Sequence, residues 1–315
     1  MTELAAPRDV AEDSESSVTL GAMSDAEQGS WPAPHNDGGA PDDDLPQTSK
    51  PDAPLRWWVE LGLTLAFYVV YSAVRNQFGS ALGESVKRES FRNAERLIEL
   101  EKALGLYVEE WIHNRFLDWD WFIVSWNVFY GTFHFAVTIG VMVVLFVRYP
   151  RRYTFMRSTL AATTAIALIG FAFYPLMPPR LLSNCDSRFG ACEPGHDYVD
   201  TLVEPGGLWS FESGTMETIS NQYAAMPSLH IGWAAWCTIA LFPVLRRRWA
   251  RVTIAAYPFL TLFSIIVTAN HYWLDAVGGL LALAIGIKVA PRLTRSLPGP
   301  AGTLNSDAAR RPPGS

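Results

Sequence analysis

His271 and Asp275 stand four residues apart in the run TANHYWLDAVGG, at the start of an apolar segment. On a helix that spacing puts both side chains on one face, within reach of each other. A carboxylate bonded to one imidazole nitrogen fixes the tautomer and leaves the other nitrogen free as a nucleophile. Read alone, the pair is explained equally well as polar glue between packed helices. A second group, Ser228 and His230 in AAMPSLHIGWAAW, opens another apolar run. Pro227 suits the first helical position, where its missing N–H costs nothing. The helix start behind it would offer unpaired amides and the positive end of a dipole to a phosphate. Ser228 would add a hydroxyl donor and His230 a proton for a departing oxygen. Arg180, closing YPLMPPR, can hold a phosphoryl group by a two-pronged contact. Singly, these residues also read as a helix-end hydrogen bond, an interfacial histidine and an arginine snorkelling to headgroups.

Six apolar stretches must position these groups: 57–74, 121–147, 155–176, 227–245, 252–269 and 271–290. Each has the length expected of a helix crossing the hydrocarbon core. The second is overlong and is expected to tilt or kink near Gly131 or Gly140. The short basic loops RYPRRY (148–153) and RRRWAR (246–251) orient the chain with both termini cytoplasmic. The connection 75–120 holds seven Lys and Arg on the outer side, interleaved with acids over a longer stretch. Within it FRNAERLIELEKALGL (91–106) places Leu97, Ile98, Leu100 and Leu104 at amphipathic spacing, for a helix on the membrane surface or against the bundle. On this topology Arg180, Ser228, His230, His271 and Asp275 converge at the outer face. A cation, a hydroxyl, two imidazoles and a carboxylate at one depth describe a phosphoryl-transfer site.

The fold class is therefore all-α: a polytopic six-transmembrane-helix bundle with an amphipathic interfacial helix and disordered termini. The chain has 315 residues and a net charge of -6. Residues 1–54 contain twelve acids against Arg8 and Lys50, and the remainder carries 19 acids and 23 bases. The segment 1–54 has little to bury and is expected to be a disordered cytoplasmic tail. It lacks the basic and apolar regions of a secretory signal. Residues 55–295 form the membrane-embedded domain, and 296–315 a second disordered tail. Cys237 lies inside a span as a small core residue. Cys185 and Cys192 lie in the outer loop 177–226, where a disulfide can close between them, with two unpaired thiols as the alternative. Gly, Pro and Trp in that loop suggest a lid.

MPSLH followed by HYWLD resembles the second and third motifs of the type 2 phosphatidic acid phosphatase superfamily. YGTFHF (130–135), PLMPPRLL (175–182) and NQYAAMPSLH (221–230) resemble more narrowly the branch containing inositol phosphorylceramide synthases. The resemblance covers about residues 91–290. It implies metal-independent, two-step transfer through a phosphohistidine, with no cofactor. By motif position His271 corresponds to the nucleophile, Asp275 to its orienting partner, His230 to the acid/base and Ser228 to a phosphate-binding residue. Two departures stand out: Phe173 occupies the place of a usual lysine, and Ser264 is followed by Ile265 where an arginine is usual. Arg180 is then the one arginine left for the phosphate. Tyr130, His134 and Asn270 are candidates for the substrate pocket, although a histidine inside a span also reads as a bond to a neighbouring helix.

The expected activity is that of a lipid phosphatase or phosphotransferase at the extracytoplasmic face. Its partners would be a lipid-linked phosphate, membrane lipids and an acceptor such as inositol, with no nucleic acid. A polyprenyl phosphate or diphosphate phosphatase would use the same site. A proton-coupled transporter is the alternative of another class, although it predicts ionisable residues spread through the membrane depth. A two-metal site lacks its carboxylate cluster.

Overall fold

The computed structural model describes residues 56–78, 83–202 and 222–296. The acidic tail 1–54, most of the tail 296–315 and residues 203–221 of the expected lid lie outside the described residues. Eight α-helices are described: α1 (Trp57–Phe78), α2 (Glu84–Ala103), α3 (Glu109–Phe116), α4 (Asp120–Arg148), α5 (Pro150–Phe173), α6 (Leu229–Leu241), α7 (Arg248–Val267) and α8 (Trp273–Ser296). A 3-10 turn, Pro179–Leu181, follows α5.

Local chemistry sets several boundaries. Pro150 opens α5 at a position that needs no N–H donor, and Pro175 forces the chain off the helix after Tyr174. α4 runs unbroken through Gly131 and Gly140. Among the described residues, α4, α5, α7 and α8 are long and apolar enough to cross a membrane, which makes this a multi-pass membrane protein. α1 has 22 residues and encloses the expected first span.

The expected span 227–245 is shorter as a helix. α6 has 13 residues, about 20 Å at 1.5 Å per residue, against a hydrocarbon core of about 30 Å. Its C-terminal end is closed by Arg152 of α5, which donates from Nε to the Ala240 carbonyl (2.8 Å) and from Nη2 to that of Ile239 (2.7 Å). Those carbonyls would otherwise lack intrahelical partners. Pro227 precedes the helix, Ser228 is the N-cap, and Leu229 is the first helical residue. Non-helical backbone at this depth is tolerated where protein covers it. Here Ala225 and Ser228 are buried.

α5 packs along α8, where a Cβ on Gly286 would come within 2.4 Å of the Thr163 hydroxyl oxygen. α6 lies against α4, α7 and α8, and its Trp236 donates Nε1–H to the Met156 carbonyl at 2.9 Å. Glu60 of α1 is held by the Arg157 guanidinium and by the Tyr153 hydroxyl (3.1 Å) of α5.

A second core involves α2. Ala94, Leu97 and Ile98 pack against Leu176, Met177, Leu181, Leu182, Tyr223 and Tyr272. The amphipathic helix therefore lies against the bundle over the segments around Leu176–Leu182, Tyr223 and Tyr272, while Leu100 and Leu104 remain exposed.

Candidate active site

The turn between α7 and α8 carries the first histidine. α7 ends at Val267, and Ala269 adopts a positive φ of 52°, a conformation that costs a residue with a Cβ about 1 kcal/mol. The Ile265 carbonyl accepts from the backbone N–H groups of Asn270 (2.9 Å) and His271 (3.2 Å). His271 thereby stands two residues ahead of α8, not on it as the spacing predicts, with its ring 3.2 Å, Nδ1 to Oδ2, from Asp275 in the first turn. The carboxylate can only accept, so Nδ1 carries the proton and Nε2 keeps its lone pair. Asp275 is fully buried and His271 is 4% exposed.

The start of α6 supplies the second histidine. His230 places Nδ1 3.3 Å from His271 Nε2. Since that Nε2 is the acceptor, His230 is the donor in this contact. Ser228 is buried, and its hydroxyl has no hydrogen-bond partner among the described residues. A buried hydroxyl left unspent beside two histidines is a donor available to a ligand.

Glycine permits this approach. The Ser228 N–H donates to the Asp275 carbonyl at 2.9 Å. A Cβ on Gly279, one turn along α8, would stand 2.2 Å from the Ser228 carbonyl oxygen. Pro227 is also closely seated, its Cδ 2.5 Å from where a Cβ on Gly170 would lie.

Arg180 is placed differently from expectation. Its Nε donates to Asn270 Oδ1 (3.1 Å), Nη1 to Asp200 Oδ2 (2.6 Å) and Nη2 to Gln222 Oε1 (2.5 Å). Its backbone N–H donates to the Ala269 carbonyl at 2.9 Å. The guanidinium is thus occupied by three side chains and is joined to the turn before His271 through Asn270. Phe173, where a lysine would be usual, is 82% exposed. Ser264 donates to the Trp126 carbonyl at 3.2 Å.

Tyr130 and His134 stand behind His230. The Tyr130 ring stacks on the His230 ring with centroids 4.4 Å apart, and the His134 ring meets it edge-on at 4.3 Å. His134 Nδ1 bonds the Tyr130 carbonyl of its own helix at 2.8 Å, not a neighbouring helix. Cys185 and Cys192 are disulfide-bonded, and Cys237 is free and buried.

Several residues that touch the site were not singled out by sequence reasoning. Asp200 and Gln222 compensate Arg180 from either side of residues 203–221, which lie outside the described ones. Glu101 and Glu109 accept the backbone N–H groups of Leu274 (2.8 Å) and Trp273 (2.9 Å). Glu101 had a readable signal: it continues the Ala94, Leu97, Ile98 stripe, where a carboxylate must be buried. Burial, then the neighbouring Glu109, push its carboxyl up to about 9. His113 of α3 is a buried bridge: Nδ1 bonds the Val267 carbonyl (2.8 Å), and Nε2 accepts the Val199 N–H (3.2 Å).

Residues 95–289 match the sequence pattern of the PAP2 superfamily. No curated protein and no solved structure matches the chain.

Proposed function

The chain belongs to the PAP2 superfamily, a family of metal-independent phosphatases and phosphotransferases acting on phosphoesters, and from that premise we propose that it transfers the phosphoryl group of a lipid-linked phosphoester through a phosphohistidine on His271. The observation that carries this reading is the ordered chain Asp275–His271–His230, with contacts of 3.2 and 3.3 Å. Asp275 holds the Nδ1 proton of His271, and Nε2 attacks phosphorus. His230 gives a proton to the departing oxygen and takes one from water or an alcohol in the second step. In-line displacement puts the leaving oxygen opposite the attacking nitrogen, so the phosphoryl group enters between the two rings. Since attack begins with nitrogen and phosphorus about 3–3.5 Å apart, substrate entry separates the imidazoles. Ser228 and the free amides opening α6 bind the equatorial oxygens. Arg180 contributes positive potential from its Asp200–Asn270–Gln222 tie, or a direct contact after exchanging one of those partners.

The finer reading is transfer to an alcohol acceptor such as inositol at the extracytoplasmic face. Its support is the YGTFHF run, whose Tyr130 and His134 rings lie against the acid/base His230. The test incubates purified protein with phosphatidic acid, a polyprenyl diphosphate and a phosphoinositol donor, each with and without inositol, beside His271→Ala. Phosphoryl transfer that His271→Ala abolishes, with an acid-labile and alkali-stable label on the protein, supports the mechanism. Normal rates in His271→Ala on every accepted substrate overturn it. Phosphate release from the donor without transfer to inositol removes the acceptor reading alone. Proton-coupled uptake with no phosphoryl transfer would favour a transporter.

A further inference from the structure

Three carboxylates surround the first turn of α8, which carries Asp275 and directly follows His271 and Tyr272. The Tyr272 N–H donates to Asp275 Oδ2 (3.0 Å), that of Trp273 to Glu109 Oε1 (2.9 Å), and that of Leu274 to Glu101 Oε1 (2.8 Å). Glu101, Glu109 and Asp275 are all fully buried. These amides would otherwise form the anion seat that a helix start provides. At α8 they are filled by the protein itself, which leaves the start of α6 to a phosphate.

Three full negative charges are too many for this place. A helix start offers roughly half a positive charge, and buried like charges repel strongly. Glu109 is satisfied as an anion, because its second oxygen also accepts the Val108 N–H at 2.8 Å. Glu101 is not. Its Oε2 is buried without a donor among the described residues, and Glu109 lies within hydrogen-bonding reach. A proton on Glu101 Oε2 removes both difficulties: the orphaned oxygen becomes a donor to Glu109, and one charge disappears.

We propose that Glu101 and Glu109 form a proton-sharing carboxylate clamp on the Trp273 and Leu274 amides, and that both are positioning residues holding His271 and Asp275 in register. The proposal rests on His271 being the nucleophile. The clamped amides lie between His271 and Asp275 in sequence, so loosening them displaces both members of the pair. A misplacement of about 1 Å can cost roughly 10²-fold in rate. The groups facing Glu101 are Glu109 from α3 and Asp275 and Tyr272 from α8 and its approach. Its neighbour Lys102 directs its ammonium over the Tyr107 ring, 4.9 Å away. The carboxyl is raised from 4.5 to about 9, first by burial and then by Glu109. Above that pH a second charge opens the clamp and adds repulsion against an incoming phosphate.

The experiment uses the full chain in lipid nanodiscs with a short-chain phosphatidic acid, following kcat and KM from pH 6 to 10.5. Wild type should lose kcat on the alkaline side with a midpoint near 9. Glu101→Ala should lose about 10²-fold in kcat with KM little changed. Glu101→Gln offers an amide oxygen to Leu274 and an N–H to Glu109. It should restore most of that loss and move the alkaline midpoint up by about one unit or more. An unshifted midpoint in Glu101→Gln, or a wild-type kcat in Glu101→Ala, overturns the clamp.

Thermal unfolding read against pH makes the shared proton testable without turnover. The folded state holds a proton that the unfolded chain releases, so the Glu101 contribution to stability is full below about 4.5 and is lost as pH rises through about 9. Glu101→Gln should flatten that slope, and an unchanged slope refutes proton sharing. A wild-type rate in His271→Ala would instead overturn the nucleophile assignment, leaving the unfolding profile to decide the clamp's proton.

Discussion

The Ser228 backbone N–H donates to the Asp275 carbonyl at 2.9 Å, joining the segment before α6 to the first turn of α8. This bond fixes the Ser-x-His group relative to the His-x-x-x-Asp group, and it depends on the absence of a side chain at Gly279. A Cβ there would lie 2.2 Å from the Ser228 carbonyl oxygen, a backbone atom that cannot rotate away. At Gly278 the nearest atom is Pro227 Cβ at 3.1 Å, which a small shift accommodates. Gly279→Ala should therefore cost about 1–3 kcal/mol and most of the activity, and Gly278→Ala much less of either. Melting temperature and turnover measured on both variants check the order, and equal effects contradict it.

Asp275 can be separated from His271 by kinetics. His271→Ala should leave no turnover. Asp275→Asn keeps the shape but lets an amide N–H face Nδ1, favouring the wrong tautomer of the imidazole. Turnover should fall about 10²–10⁴-fold with KM nearly unchanged. A variant that instead weakens KM at full kcat would place Asp275 in substrate binding.

The placement of the candidate groups was legible where one short motif carried it. His271 with Asp275, and Ser228 with His230, come together because each pair spans the start of one helix, within five residues of chain. The partners of Arg180 were not legible. Asp200 and Gln222 lie 20 and 42 residues away, and no periodicity links an arginine to a loop carboxylate. The length of α6 was half legible. Its apolar run continues to Leu245, but Pro243 returns no N–H to the Ile239 carbonyl, and Arg152, 87 and 88 residues upstream, takes up the carbonyls left open. Hydropathy reports which residues tolerate lipid, whereas a helix end is decided by whatever satisfies its backbone.

Arg180 and Asp200 form a buried pair, 2.6 Å from Nη1 to Oδ2. Removing the carboxylate leaves an uncompensated buried cation, at a cost of about 3–5 kcal/mol. Asp200→Ala should thus lower the melting temperature strongly. Arg180→Lys keeps the charge but cannot satisfy Asn270, Asp200 and Gln222 together, because an ammonium lacks the planar fork. It should lower kcat while folding more stably than Asp200→Ala. Circular dichroism melts and single-substrate kinetics distinguish the two, and a fully active Arg180→Lys argues against any need for the fork.

His113 should make the fold less stable in acid. It donates from Nδ1 to the Val267 carbonyl at 2.8 Å and accepts the Val199 N–H on Nε2 at 3.2 Å. Only the neutral ring with its proton on Nδ1 can do both. Burial lowers its pKa below the ordinary 6.5, so just below that pH the unfolded chain binds a proton that the folded chain refuses. Stability rises with pH wherever the unfolded state holds more protons. The His113 contribution is therefore complete above about 6.5 and is lost as pH falls below it. The variant His113→Leu offers no polar group to either partner and should be less stable at pH 7 by about 1–3 kcal/mol. It should also lack this acid slope, so the difference in unfolding free energy between wild type and variant should shrink from pH 7 to pH 5. Since α3 also carries Glu109, the variant should lose activity along with stability. A difference that stays constant across that range would show that His113 is not held neutral in the folded chain.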